Sequence, residues 1–421
     1  MRVVIRNAHL VDKDGDHGKA DLYLDKGLIQ GRDLGGPCDL ELDASGHLVT
    51  PAFVELHAQF RDPGFEVKED LQSGLSAACA GGFGTVVSMP NTDPAIDDPA
   101  LITSLQNRAK AAGQARLKPA AALSRRLEGQ KLSDFAALQA AGAVMVTDGD
   151  LPVKDAHLMR RACEYAGELD LLIQTHSEDT KLAQKGVMNE GRMSQRLGLP
   201  GQPASAEAIA VYRNCELALM TGARVHIAQV STKRSMEIIE WFKEKGALVT
   251  AEVTPHHLLL TDESMALFNP YFKVSPPLRT SEDVEYLRKA LQKGSIDNIS
   301  TAHAPHTRAD KEFDLLLAPS GMANLEIAFP LLYSELVQNK ILHLETLLSA
   351  LQEGPANVMK WSAPSLKEGS PADITIIDLE TPRAVQPHQF KTKAKYSAWE
   401  GQMLKGWPIA TFIDGKLAFQ R

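Results

Sequence analysis

The chain has 421 residues, with 45 Lys and Arg against 53 Asp and Glu and a formal charge of −8. That length predicts two or three domains at roughly 150 residues each, or one barrel of up to ~250 with a smaller companion. The acidic balance excludes nucleic acid and anionic membrane as main partners, and no apolar run reaches the ~18 residues that a membrane span needs.

Residues 1–50 read as short strands, Val3–Ile5, Ala20–Leu24 and Gly46–Val49, split by the polar turns Asp14-Gly15-Asp16 and Gly35-Gly36-Pro37. The first ten residues alternate like a strand and lack the apolar stretch and cleavage site of a secretory signal. Cys38, Cys79, Cys163 and Cys215 make no C-x-x-C pair, which excludes a zinc ribbon and suits a reducing compartment. The predicted location is cytoplasmic. The middle of the chain then alternates strand and helix. Strands are predicted at Thr85–Met89, Ala143–Thr147, Leu171–His176, Arg224–Val230, Ala247–Val253 and Asn298–Ala302. Helices are predicted at Asp98–Ala112, Asp155–Ala166, Ser235–Lys245 and Ser281–Lys293. Asp373–Ile377 and Ile409–Ile413 return to strand. The fold class is therefore α/β: a (β/α)8 TIM barrel over residues 51–360, with a small β-sandwich built from residues 1–50 plus 361–421. An open doubly wound sheet is the alternative, but no Gly-rich nucleotide fingerprint is present.

Active-site residues of such barrels sit at the C-terminal ends of strands. Here those places hold Leu56-His57-Ala58-Gln59-Phe60-Arg61-Asp62-Pro63-Gly64, Met89-Pro90-Asn91-Thr92, Thr147-Asp148-Gly149 and Thr175-His176-Ser177-Glu178-Asp179. His226-Ile227-Ala228-Gln229-Val230-Ser231-Thr232, Pro276-Pro277-Leu278-Arg279 and Thr301-Ala302-His303-Ala304-Pro305-His306 follow. With Ala80-Gly81-Gly82-Phe83-Gly84-Thr85 and Gly369-Ser370-Pro371-Ala372-Asp373, these ordered motifs resemble the dihydroorotase family of the cyclic amidohydrolase superfamily from Arg2 to about Lys416.

The resemblance implies a binuclear zinc site: an H-x-H pair on strand 1, a bridging carboxylate from strand 4, a His from each of strands 5 and 6, and an Asp after the last strand as ligand and general base. Zinc takes N, S or carboxylate ligands, acidifies bound water and polarises an amide carbonyl. His57 and His176 keep their places. The other four positions depart from the pattern: Gln59, Gly149, Gln229 and Ala302 stand where two His and two Asp are expected. Amides are poor zinc ligands, Gly and Ala offer no donor, and losing the Asp at Ala302 removes the proton acceptor. By strand alternation His226 points away from Gln229 and His303 away from Ala302, while Asp148 or Asp150 is left as a possible replacement carboxylate. No metal cofactor and no catalytic residue is expected; zinc enters only if a mononuclear site is rebuilt from His57, His176 and Asp148 or Asp150.

On the substrate side, Arg61, Asn91 and His306 match the family residues that hold or line the pocket for the substrate carboxylate, an arrangement able to clamp an orotate-like ligand. Ser275 replaces the family's usual Asn. The competing reading gives Arg61 a structural ion pair with Glu178 or Asp62. His256 and His257 are read as hydrogen-bonding residues, Cys79 as buried, Lys289–Lys293 as a solvated helix end, and Trp361, Trp399 and Trp407 as core or interface residues of the C-terminal sheet. The resemblance implies a non-catalytic dihydroorotase-like subunit of pyrimidine biosynthesis that partners aspartate carbamoyltransferase in a hetero-oligomer; a cyclic amide hydrolase is the alternative, and a sensor of an orotate-like dicarboxylate the third.

Overall fold

The computed structural model describes residues 1–31 and 35–421. At the N-terminus, β1 (Arg2–Asp12) and β2 (Gly15–Asp25) form an antiparallel ribbon, and β3 (Leu28–Gln30) continues it. β4 (Leu40–Asp43) and β5 (Leu48–Pro51) both run parallel to β1. The first two strands are 11 residues each, longer than their apolar segments. Two bulges, one beside Asn7 at φ 55, let the ribbon twist onward through its polar stretch.

The barrel begins with β6 (Phe53–Ala58), β7 (Phe83–Ser88) and β8 (Arg116–Pro119), all parallel. The third barrel strand breaks at Ala120 and resumes as β9 (Ala121–Ala122), followed by β10 (Met145–Thr147) and β11 (Leu172–His176). A short pair, β12 (Met188–Asn189) with β13 (Gly201–Gln202), ties down the loop after β11. β14 (Val225–Ala228), β15 (Val249–Val253) and β16 (Asn298–Ile299) complete the set. The ring closes where Gln59 N donates to His303 O at 2.8 Å and Ala58 bridges His303 in parallel. The strands are buried on both faces, which is why they read as near-continuous apolar runs. The fold is thus an α/β barrel with a smaller sheet domain.

Helices cover the barrel where their sequence caps say they should. Asp98 starts the helix Pro99–Ala112 by accepting from Ala100 N at 2.7 Å, and Gly113 ends it in a left-handed turn at φ 65. β17 (Ile374–Asp378) then pairs with β5, and β20 (Trp407–Ile413) and β21 (Lys416–Gln420) follow in one sheet with the N-terminal strands. Between them β18 (Arg383–Ala384) pairs with β19 (Met403–Leu404). This sheet encloses its own core of Val3, Ile5, Leu24, Ile29, Ile374 and Phe412. It is joined to the barrel by Thr411 Oγ1 donating to Cys79 O at 2.7 Å and by Gln352 Nε2 donating to Thr50 Oγ1 at 2.8 Å.

Two of the three terminal tryptophans are core residues, Trp399 and Trp407 being 7% and 2% exposed, while Trp361 is half-buried. Trp241, on the barrel helix Lys233–Glu244, is the exposed one at 45%. No helix among the described residues is long and apolar enough to cross a membrane.

Candidate functional site

In β15, Val249, Ala251 and Val253 join the core beneath the helices, so Thr250 and Glu252 take the inward face. Glu252 is fully buried and is the hub of the site. Its Oε1 lies 3.1 Å from His57 Nδ1, its Oε2 lies 3.2 Å from His226 Nε2, and Ser300 Oγ donates to it at 2.6 Å. Burial disfavours its charge, but the hydrogen bonds from His226 and His57 outweigh that and hold the carboxyl well below its usual range. A lone Glu inside the apolar run Ala247–Val253 was the signal that sequence reasoning passed over. Glu55, inside Phe53–Ala58, is the same kind of residue. It accepts from His57 N at 2.6 Å and Thr301 N at 2.8 Å, tying the first barrel strand to the last, and burial raises its carboxyl to about 7.

His57 stands between two carboxylates. Nδ1 meets Glu252, and Nε2 lies 3.6 Å from Asp150 Oδ1. Burial would lower its pKa, but the bonds to Asp150 and Glu252 win and push it up to about 10. Gln229 places its amide 3.3 Å from the same Nε2, and Gln59 Nε2 donates to Asp150 Oδ2.

Asp150 is the carboxylate that turns inward. Gly149, at φ 60, turns the backbone tightly against Asn91, whose Cγ would lie 3.3 Å from any added Cβ. Asp148 instead accepts from Ser124 N at 2.8 Å and Ser124 Oγ at 2.6 Å, away from the histidines, and burial raises it to about 6. Asp150 keeps 35% of its side chain open, so it marks the mouth of the site. Burial opposes its charge, yet His57, His176 and Arg61 together keep the carboxyl low.

The expectation that His226 faces away from the site is overturned. Val225 and Ile227 are the residues under the helices, so alternation turns His226 inward onto Glu252. Gln229 also reaches the interior because its φ of 54 breaks the strand pattern. Ala302 sits in a similar turn at φ 47. His303 contacts Glu69 at 3.4 Å, outside the His57 cluster. His176 Nε2 lies 3.8 Å from Glu178, and its Nδ1 has no hydrogen-bond partner among the described residues.

The residues present do not fit a binuclear zinc site. Gln59 and Gln229 contribute amides, and Gly149 and Ala302 contribute no donor, where the resemblance implies two His and two Asp. Among the described residues no three His, Cys, Asp or Glu side chains converge as an ion would require.

The substrate side is different. The proposed pairing of Arg61 with Asp62 or Glu178 is not formed: Asp62 takes Arg108 at 2.8 and 2.5 Å, and Glu178 takes Gln202 at 2.7 Å. Arg61, at φ 58, donates from Nε to Pro305 O at 3.3 Å and has no carboxylate partner at ion-pair distance among the described residues. Asn91 makes no side-chain hydrogen bond among them. His306 is fixed by Ser320 O at 2.9 Å, and burial, with Arg61 nearby, lowers it to about 3, so the ring is neutral. The buried Tyr396 hydroxyl, which feels the Arg61 charge, has no hydrogen-bond partner either. His256 and His257 are structural: Asn324 Nδ2 meets His256 Nδ1 at 3.1 Å, and His257 spans Thr254 Oγ1 and Pro276 O.

A closed barrel with its site residues at the C-terminal strand ends, joined to a sheet made from both termini, defines an amidohydrolase-superfamily protein. Solved structures agree on the fold: the L-hydantoinase of Arthrobacter aurescens superposes with a TM-score of 0.88 at 24% identity, over 99% of this chain and 95% of that one. The dihydropyrimidinase of Brevibacillus agri gives 0.84 at 20% identity, over 100% and 95%. The dihydro-orotase-like family model matches residues 46–235. A Deinococcus radiodurans protein named dihydroorotase is 49% identical over 422 residues, covering 100% of both chains. One from Thermus aquaticus with the same name is 43% identical over 424 residues, covering 99% of each. The chain belongs to the dihydroorotase-like family.

Proposed function

We propose that this chain is a non-catalytic member of the family in pyrimidine biosynthesis, kept as the structural partner of aspartate carbamoyltransferase. The observation that carries the loss of catalysis is the residue set at the implied ligand positions: Gln59 and Gln229 offer amides, and Gly149 and Ala302 offer no side-chain donor. The partner role rests on the resemblance and on the survival of a complete barrel around that site. An exposed apolar face supports it: Ile209, Tyr212, Met220, Trp241 and Leu248 are each 45–54% exposed on or beside neighbouring barrel helices. Such anchors are typical of an obligate interface of ~2,000 Å² or more.

The test is co-expression with the transcarbamoylase of the same organism. One co-eluting hetero-oligomer is expected, with the transferase losing activity or aggregating alone. Separate elution at micromolar concentration, with a fully active lone transferase, defeats the reading.

The second reading is a hydrolase with a rebuilt mononuclear site from His57, His176 and Asp150. The inward Asp150 and the names of the relatives favour it. Metal analysis after dialysis without chelator separates the two. Well under one zinc per chain is expected, with no dihydroorotate hydrolysis even when zinc is added. Gln59→His alone is expected to restore nothing, because several ligands and the Asp at position 302 are missing together.

A further inference from the structure

At the opposite end of the barrel from His57, three adjoining cavities follow the seam between the barrel and the terminal sheet. The first, about 310 Å³, has Trp361 as its aromatic wall beside Thr85, Ser365 and Lys118. The second, about 440 Å³, is lined by Lys110, Arg116, Lys118 and Lys416. The third, about 400 Å³, shares Arg116 and Lys416 with the second and adds Lys26. Volumes of this order suit a small-molecule ligand.

The charge here runs against that of the chain. Two acids, Asp373 and Asp414, line these cavities, and both are paired with Arg116. Lys26, Lys110, Lys118 and Lys416 have no ion pair among the described residues, so the seam carries a net charge of +3 within a molecule of net charge −8. Concentrated positive charge beside low-dielectric walls draws anions. Lys118 stands at the junction: it lines both the first and the second cavity, and its ammonium lies 5.9 Å from the ring centroid of Trp361.

We infer that this seam binds an anion with several phosphate charges and a flat aromatic ring, of the nucleoside triphosphate class. Lys110, Lys118 and Lys416 take the phosphates, and Trp361 takes the ring. Stacking on an aromatic side chain tolerates any base, so the seam recognises the class and not one member of it. The site is remote from Arg61 and Asn91, and the inference stands whether or not the function proposed above holds.

Calorimetric titration of the full chain at low ionic strength tests it, with UTP, ATP, inorganic tripolyphosphate and uridine as separate probes. Both nucleotides should bind one per chain, tripolyphosphate at least tenfold more weakly, and uridine not measurably. Lys118→Glu and Lys416→Glu should each weaken nucleotide binding at least tenfold; both lysines are at the surface or half-buried, so folding is preserved. Trp361→Leu should weaken the nucleotides and leave tripolyphosphate unchanged, which also shows that the cleft is intact. The inference is overturned if no nucleotide binds at millimolar concentration, if Lys118→Glu and Lys416→Glu bind as well as the parent, or if tripolyphosphate matches the nucleotides.

Discussion

On the His57 side of the pocket, positive and negative groups have been turned onto one another; on the Arg61 side, they have not. His57 lies between Asp150 and Glu252, His226 also leans on Glu252, and Gln59 closes over Asp150. Arg61 meets a single backbone carbonyl, while the Tyr396 hydroxyl has no hydrogen-bond partner among the described residues. The comparison teaches that the side chains at the implied ligand positions do not stand apart but contact one another. A buried carboxylate demands hydrogen-bonding partners, and His57 and His226 supply them to Glu252 at 3.1 and 3.2 Å. The Arg61 half holds no carboxylate that makes the same demand at ion-pair distance among the described residues, and burial lowers the Arg61 guanidinium from its ordinary range.

The most severe way to break the contrast is Glu252→Gln. It removes the shared acceptor of two buried histidines and leaves His57 with Asp150 alone, so a loss of about 3–5 kcal/mol is expected in urea unfolding. A loss below ~1 kcal/mol would show that His57 is not held as a cation. Asp150→Asn should cost only ~1 kcal/mol by the same measurement, because that carboxylate is 35% exposed and screened by water.

The pH dependence sharpens the same point. His57 is raised from its ordinary 6.5 to about 10, so its contribution is complete below pH 6.5 and drains away as the pH rises toward 10. Glu252 is depressed from 4.5, so its contribution is present above pH 4.5 and is lost as the pH falls. Stability measured from pH 6 to 10 should therefore fall in the parent and flatten in His57→Gln; equal slopes would contradict the imidazolium.

The smallest effect is expected on the open half. Orotate at tenfold over its Kd stabilises by about 1.4 kcal/mol, a rise of roughly 1–3 °C in Tm for a chain of this size. Arg61→Ala should abolish the rise. The shift should not vary between pH 5 and 8 on account of His306, which is already neutral there. An undiminished shift in Arg61→Ala would place the ligand elsewhere.

The barrel was legible in the sequence, and so were the residue types at the positions where the resemblance implies metal ligands, because both are matters of residue type. Buried parallel strands keep apolar residues on the face under the helices, as Ile173, Val249, Ala251 and Val253 do, and Gln, Gly or Ala is a poor zinc donor or none whatever surrounds it. Which groups meet around His57 was decided only by tertiary structure. Glu252 is 195 residues from His57 and meets it because barrel closure brings their strands to one interior. The left-handed turn at Gly149 carries Asp150 inward, and that at Gln229 undoes the strand alternation that had placed His226 outside. Strand period is a local property that sequence carries, whereas which buried charge finds which partner depends on contacts that exist only once the chain has closed on itself.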